Sequence, residues 1–226
     1  QFTWLGRVFG ANQVMAVRAD SGVKSLNELK SKQVIVASTG KGSPTFLVPT
    51  MMNGLLGTKF KIVTGYKGSK RTSMSVEQGE TAGMSNSWVS WTKNRRDWFM
   101  DCGSKCFMIK LAQVGNTKEP DLPNLPLLTD LAKTADDKAA AAMLSTAAVI
   151  GRGLAYPPGV SAKQIKVMRT AFWNTVTSSK FTKDAKSKRL PVTPLKGAAI
   201  QKIVNSALKM SPKAVAKARA HIFPNK

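Results

Sequence analysis

The stretch Val34–Ser43 reads V-I-V-A-S-T-G-K-G-S, and no other part of the chain constrains the fold so tightly. A β-branched apolar run leads into a Gly-x-Gly turn. Ser43-Pro44 then marks a helix start, because Ser caps free N–H groups and Pro suits the first helical position. The expected unit is strand, glycine turn and helix N-terminus. A helix start presents unpaired N–H groups and the positive end of a dipole, so such a turn is a cradle for a carboxylate or a phosphate.

The pattern recurs. Pro44–Leu56 is expected to be a helix with Pro49 inside it and Gly57 as its left-handed stop. Lys59–Thr64 alternates like a strand, and Gly65-Tyr66-Lys67-Gly68 follows, with Ser69 placed to cap a helix through Gln78. Thr81–Ser85 fits a buried strand and Asn86–Phe99 a helix carrying three tryptophans. Upstream, Val14–Val17 reads as a strand and Ser25-x-x-Glu28 as a capping box over a short helix. Strands alternating with helices imply right-handed crossovers and a mostly parallel sheet, which binds ligands at the carboxyl ends of its strands. Downstream, Cys106–Gln113 reads as a strand and K-E-P-D-L-P-N-L-P as a connector. Leu127–Ser145 is expected to be helical, Thr146–Ile150 a strand, and Ser161 the cap of a helix in which Val167, Met168, Ala171, Phe172 and Val176 recur at helical spacing. Lys196–Phe223 is helical and basic, interrupted at Pro212.

Several function classes lose support. The 42% hydrophobic content is enough for a core, and no run reaches the roughly 18 apolar residues of a membrane span. The chain opens inside an apolar segment (Phe2, Trp4, Leu5) that reads like mid-domain sequence, with no leader peptide, so part of the protein is expected upstream. Enzyme chemistry is not expected: His221 stands alone, there is no Gly-x-Ser-x-Gly elbow, and T-G-K-G-S falls short of the phosphate-binding G-x-x-x-x-G-K-[ST]. No cofactor and no metal site are implied. Cys102 and Cys106 read either as two small apolar residues near a strand start or as a short-loop disulfide of an oxidising compartment. Thirty-five Lys plus Arg against 12 Asp plus Glu give a formal charge of +23, which makes nucleic-acid binding the serious rival reading. Against it, the lysines are spread over many helices and no nucleic-acid-binding signature is visible, so no nucleic-acid partner is expected.

Taken in order, F-T-W-L-G-R, V-K-S-L-N-E-L-K, T-G-K-G-S, L-G-T-K-F-K-I-V-T-G-Y-K-G, E-Q-G-E-T-A-G, P-D-L-P-N-L-P and Y-P-P-G-V give the chain a pattern that resembles the tripartite tricarboxylate transporter receptor family, the Bug-type periplasmic solute-binding proteins. The resemblance covers nearly the whole chain. It implies an α/β fold of the type II periplasmic-binding-protein class, two lobes with mostly parallel sheets that close over a small organic anion. It also implies roughly a hundred residues ahead of Phe2, about one ordinary lobe, so the first lobe is expected to be incomplete. Residues 1–31 and 117–226 would form that partial first lobe with the C-terminal helices, and 32–116 the second, ligand-binding α/β lobe.

The ligand role falls by resemblance on Thr39, Gly40, Gly42 and Ser43 and on Tyr66, Lys67 and Gly68, with Lys41 and Lys67 adding positive potential. The plainer alternative is two ordinary strand-to-helix turns in which glycine only permits the bend. Ser85 and Asn86 either face the same cleft or cap the next helix. Trp88 and Trp91 either line a pocket or pack in the core, and Arg152 either pairs with a second carboxylate or sits at the surface. The implied role is non-catalytic. A periplasmic monomer would capture a small carboxylate (a di- or tricarboxylate or an aromatic acid) and present it to membrane permease subunits. A ligand-sensing partner of a signalling system is the second reading within it.

Overall fold

A computed structural model describes residues 2–103 and 105–223. In chain order its elements are β1 (Thr3–Arg7), β2 (Gln13–Arg18), β3 (Val34–Ala37), α1 (Pro44–Leu56), β4 (Phe60–Val63), α2 (Gly68–Glu77), β5 (Gly83–Ser87), α3 (Trp88–Asn94) and β6 (Met108–Val114). There follow α4 (Leu128–Leu131), α5 (Ala135–Ile150), β7 (Gly153–Tyr156), α6 (Ala162–Thr177), α7 (Ser179–Ser187), β8 (Leu195–Lys196), α8 (Gly197–Leu208) and α9 (Pro212–Ile222). They form two compact units, residues 12–145 with 211–223 and residues 2–11 with 146–210. The division falls elsewhere than expected. Because β2 pairs with β5 and β6, residues 12–31 pack with the glycine turns, and α4, most of α5 and α9 join them.

The larger unit is built on a five-stranded sheet of order β4-β3-β5-β2-β6. β3 runs parallel to β4 and β5, as strand-helix-strand crossovers require, whereas β2 is antiparallel to both of its neighbours. The sheet is therefore mixed rather than mostly parallel, since β2 enters ahead of the crossover units and needs no covering helix to reach its place. Gly83 makes that pairing close: a Cβ there would lie 2.5 Å from the Ala16 carbonyl oxygen. On one face α1 contributes Val48, Met51 and Met52 to a core with Met15, Val34 and Val36. On the other, Val76, Trp88 and Trp91 of α2 and α3 pack with Val14, Ala16, Ala37 and Met84. Trp88 and Trp91 are thus core residues.

Several boundaries differ from expectation for local reasons. α1 matches its expected span, ending at a left-handed Gly57. Thr146–Ile150 is not a strand; it continues α5, because T-A-A-V-I carries no breaker before Gly151, whose φ is +55°. The expected helix Leu127–Ser145 splits at 132–134, where the Thr134 hydroxyl oxygen accepts the Asp137 N–H at 3.1 Å and starts a new helix. α3 is shorter than expected, with a 3₁₀ turn over Arg96–Trp98, and its cap is Ser87, whose hydroxyl accepts the Ser90 N–H. The Ser25–Glu28 exchange forms but supports only a 3₁₀ turn, Glu28–Lys30. Cys102 and Cys106 are joined by a disulfide. No helix among the described residues is long and apolar enough to cross a membrane.

His221 is not alone. Its Nε2 lies 3.1 Å from Asp137 Oδ1, which also takes the Lys217 ammonium at 3.0 Å, tying α9 to the start of α5. The Thr134 hydroxyl foremost, then Lys217 and His221, hold the Asp137 carboxyl down at about 2, against an ordinary 3.8. A depressed carboxylate contributes stability above its unfolded pKa and loses it as pH falls through the folded one. Asp137→Asn should therefore cost about 2 kcal/mol at neutral pH. In urea titrations the gap between parent and variant should shrink as pH falls from 4 towards about 2. A gap that stays constant across that window would contradict the linkage.

The smaller unit carries the antiparallel sheet β7-β1-β8, with α6 and α8 against β1. Ser161 opens α6 with a full capping box. Of the expected α6 stripe only Val176 is buried; Val167 and Met168 are 60% and 37% exposed. Leu154, Phe2 and Leu208 are exposed in the same unit, so it leaves much of its apolar surface unburied.

Candidate functional site

Because β3, β4 and β5 are parallel, the segments leaving their carboxyl ends share one edge of the sheet. From there α1 packs on one face and α2 on the other, which makes the edge a point where the winding changes direction and a crevice is expected. The two glycine turns meet there. Ser38 N–H donates to the Val63 carbonyl at 2.8 Å, and Tyr66 N–H donates to the Ser38 carbonyl at 3.3 Å.

The first turn is held from within by Thr45, which is absent from the residues expected at the site. Thr45 is buried, and its Oγ1 accepts the Thr39 N–H at 3.0 Å. The same oxygen lies 3.1, 3.2 and 2.6 Å from the hydroxyls of Ser38, Thr39 and Ser43. The available signal is position: a hydroxyl just inside a helix, directly after Pro44, faces the turn that precedes it. Ser43 occupies the N-cap position, yet its hydroxyl accepts no helix N–H; it donates instead to the Gly40 carbonyl at 2.8 Å. The loop thus spends its hydroxyls on itself and leaves backbone donors over. Among the described residues, no hydrogen bond uses the N–H of Lys41 or Gly42, and both residues are exposed.

Glycine serves different ends in the two turns. Gly65 and Gly68 have φ of +110° and +81°, so the second turn needs them for its path. Gly40 and Gly42 have no such φ, and a Cβ at either would meet nothing within 4 Å. There the missing side chain leaves open space beside free N–H groups. The second turn delivers α2 with Lys67 at the N-cap and no side-chain cap; Ser69 lies inside the first turn, since the helix starts at Gly68. α1 also lacks a side-chain cap, whereas Ser87, Ser161, Ser178 and Ser211 cap α3, α6, α7 and α9.

The remaining expected residues separate. Tyr66 Oη donates to Glu80 at 2.7 Å, and burial first, then the Glu80 carboxylate, holds the phenol above its ordinary pKa. Tyr66 therefore shapes the turn with its hydroxyl already engaged. Lys41 and Lys67 are exposed and have no ion-pair partner among the described residues. Ser85 and Asn86 alternate along β5. Ser85 is fully buried, its hydroxyl without a partner, while Asn86 lines a cavity of about 270 Å³ between α2 and α3. Arg152 is exposed. No group of three or more His, Cys, Asp or Glu side chains able to hold a metal occurs among the described residues.

No family model matches the chain, and no curated protein does. Solved structures do. A TctC solute-binding protein from Polaromonas matches with a TM-score of 0.64 at 17% identity, covering 96% of this chain and 68% of its own. An R. palustris protein solved with adipate gives 0.64 at 15% identity over the same shares. The periplasmic binding protein BugD gives 0.63 at 16% identity, over 98% of this chain and 70% of its own. The likeness establishes the fold: this chain is similar to periplasmic solute-binding proteins over about two thirds of their length.

Proposed function

We propose that this protein is a non-catalytic receptor for a small organic carboxylate, of the tripartite tricarboxylate transporter type. The observation that carries the reading is the pair of neighbouring, uncapped helix starts at one edge of the parallel strands, with the Lys41 and Gly42 N–H groups free beside open space. Such donors favour an anion at the positive end of two helix dipoles. The Lys41 and Lys67 ammonium groups add to the field without closing the turn. Thr39, Gly40, Gly42, Ser43, Tyr66, Lys67 and Gly68 frame the cradle, and Asn86 stands at the end of the adjoining strand. Adipate bound to one protein of the same fold supports a carboxylate as the ligand class.

The receptor works in the periplasm, as a monomer, and hands its ligand to membrane permease subunits. Ligand capture shifts it toward a closed state that the permease reads.

A thermal-shift panel of di- and tricarboxylates and aromatic acids tests this reading. At a ligand concentration of about 100 Kd, a true ligand should stabilise the protein by about 2.7 kcal/mol, a rise of several degrees. Silence from the protein across the whole panel would count against solute capture.

A further inference from the structure

We propose that the corner formed by α6 and α7 in the smaller unit is a docking surface for an anionic lipid bilayer. Charge is unevenly shared along the chain. The smaller unit holds thirteen of the 35 Lys and Arg residues but only one of the 12 acids, Asp184, and that carboxylate is taken by Lys188 at 2.8 Å. Arg7 and Arg169 spend donors on backbone carbonyls, and Lys196 lies over the Trp173 ring at 5.0 Å. Lys163, Lys166, Lys180, Lys183, Lys186 and Arg189 remain. All six are exposed, and their side chains have no ion-pair partner among the described residues.

Their placement opposes local stability. Lys163 and Lys180 each hold the second position of a helix, beside the positive end of its dipole, and neither α6 nor α7 has an acidic residue in its first turn. The dipole favours Lys186 at the other end of α7; it disfavours the two lysines at the starts. Uncompensated charge of one sign also repels itself across a compact unit. A polyanionic partner relieves both penalties.

The surroundings choose between polyanions. Lys163, Lys166, Val167 and Thr170 recur at helical spacing on α6 and are all exposed, so an apolar side chain stands among the ammonium groups. Ser178 joins this helix to α7: its Oγ donates to the Thr175 carbonyl at 2.8 Å and accepts the Phe181 N–H at 3.2 Å. A bilayer interface takes such a mixture, with headgroup phosphates against the lysines and Val167 at the acyl boundary. A nucleic-acid backbone offers the phosphates but no apolar layer. The Cys102–Cys106 disulfide points the same way, because disulfides are rare in cytosolic and nuclear proteins.

Co-sedimentation with vesicles of equal parts phosphatidylglycerol and phosphatidylcholine, beside pure phosphatidylcholine, tests the surface. The protein should bind the mixed vesicles alone, and less as salt rises. Replacing Lys180, Lys183 and Lys186 together by Gln should weaken binding tenfold or more. The matched control replaces Lys24, Lys59 and Lys133 of the larger unit, three exposed lysines, and should change binding less than about twofold. Val167→Ser should weaken it about threefold by removing apolar contact. Equal losses from the two triple variants would overturn the corner and assign binding to the +23 charge at large. Failure to bind the mixed vesicles, or tighter binding to a DNA duplex at matched phosphate concentration, would overturn the lipid assignment. The surface does not rest on the carboxylate reading, and a negative result here leaves the thermal-shift panel to decide that reading separately.

Discussion

Gly42→Val should leave the fold standing and abolish the carboxylate response. Position 42 has no left-handed φ, and a Cβ there would meet no atom within 4 Å, so the substitution brings no backbone strain and no clash. Exposed substitutions of this kind shift stability by about 0.5 kcal/mol or less. The isopropyl group, however, occupies the approach to the Lys41 and Gly42 N–H groups. Hydrogen bonds from such donors to a carboxylate are worth about 1.5–3 kcal/mol each. Losing two of them costs about 3 kcal/mol or more, a hundredfold or greater fall in affinity. Gly42→Ala should fall between parent and Val, because a methyl only narrows the approach. The outcome is read as an unchanged urea midpoint beside a flat titration with any acid that stabilises the parent. Retained binding in the Val variant would remove the first turn from the site.

The contrast between Gly42 and Gly65 also shows how far the site is legible from residues alone. The sequence places two glycine turns after two strands and predicts helix starts behind both, and the chain folds that way. It does not distinguish a glycine kept for its φ from one kept for open space, because that distinction depends on neighbours far along the chain. Thr45 escapes notice for a related reason. A threonine in a first helical turn has no local pattern that marks it as the centre of three hydroxyls, and only burial makes it so. Ser85 and Asn86 are adjacent in sequence, but the two-residue period of a strand sends them to opposite faces. Treating them as one candidate pair overlooks that period.

Helices and strands with strong end signals are legible to the residue: Ser43-Pro44 and Gly57 bracket α1, and Ser161 with Gln164 opens α6. Pairing is not. β2 looks like any short apolar strand, and nothing within V-M-A-V announces that it will lie antiparallel between β5 and β6 and draw residues 12–31 into the larger unit. The same limit hides the ion pairs of Asp137, whose partners Lys217 and His221 come from the far end of the chain.

Gly197→Ala should be a strongly damaging single methyl in the smaller unit. A Cβ at this first residue of α8 would sit 2.0 Å from the Trp4 carbonyl oxygen and 2.7 Å from that of Leu5, both backbone atoms of β1. Neither can rotate away, so α8 must lift off the strand. The lift has further consequences, since Trp4 O also accepts Arg169 Nε and Nη2 at 3.0 and 2.9 Å, and Lys196, next to Gly197, pairs with Gly6 across the β1–β8 ladder. Overpacking of this severity costs about 3 kcal/mol. Gly6→Ala provides the internal comparison, because the first atoms its Cβ would meet belong to the Phe172 ring, at 2.2 and 2.6 Å. A ring at the end of a side chain can turn, so that variant should lose clearly less, about 1–2 kcal/mol. Urea titrations of the two variants beside the parent decide the matter, with the Gly197→Ala midpoint expected well below that of Gly6→Ala. Equal midpoints would mean that α8 is not seated on β1 through that glycine.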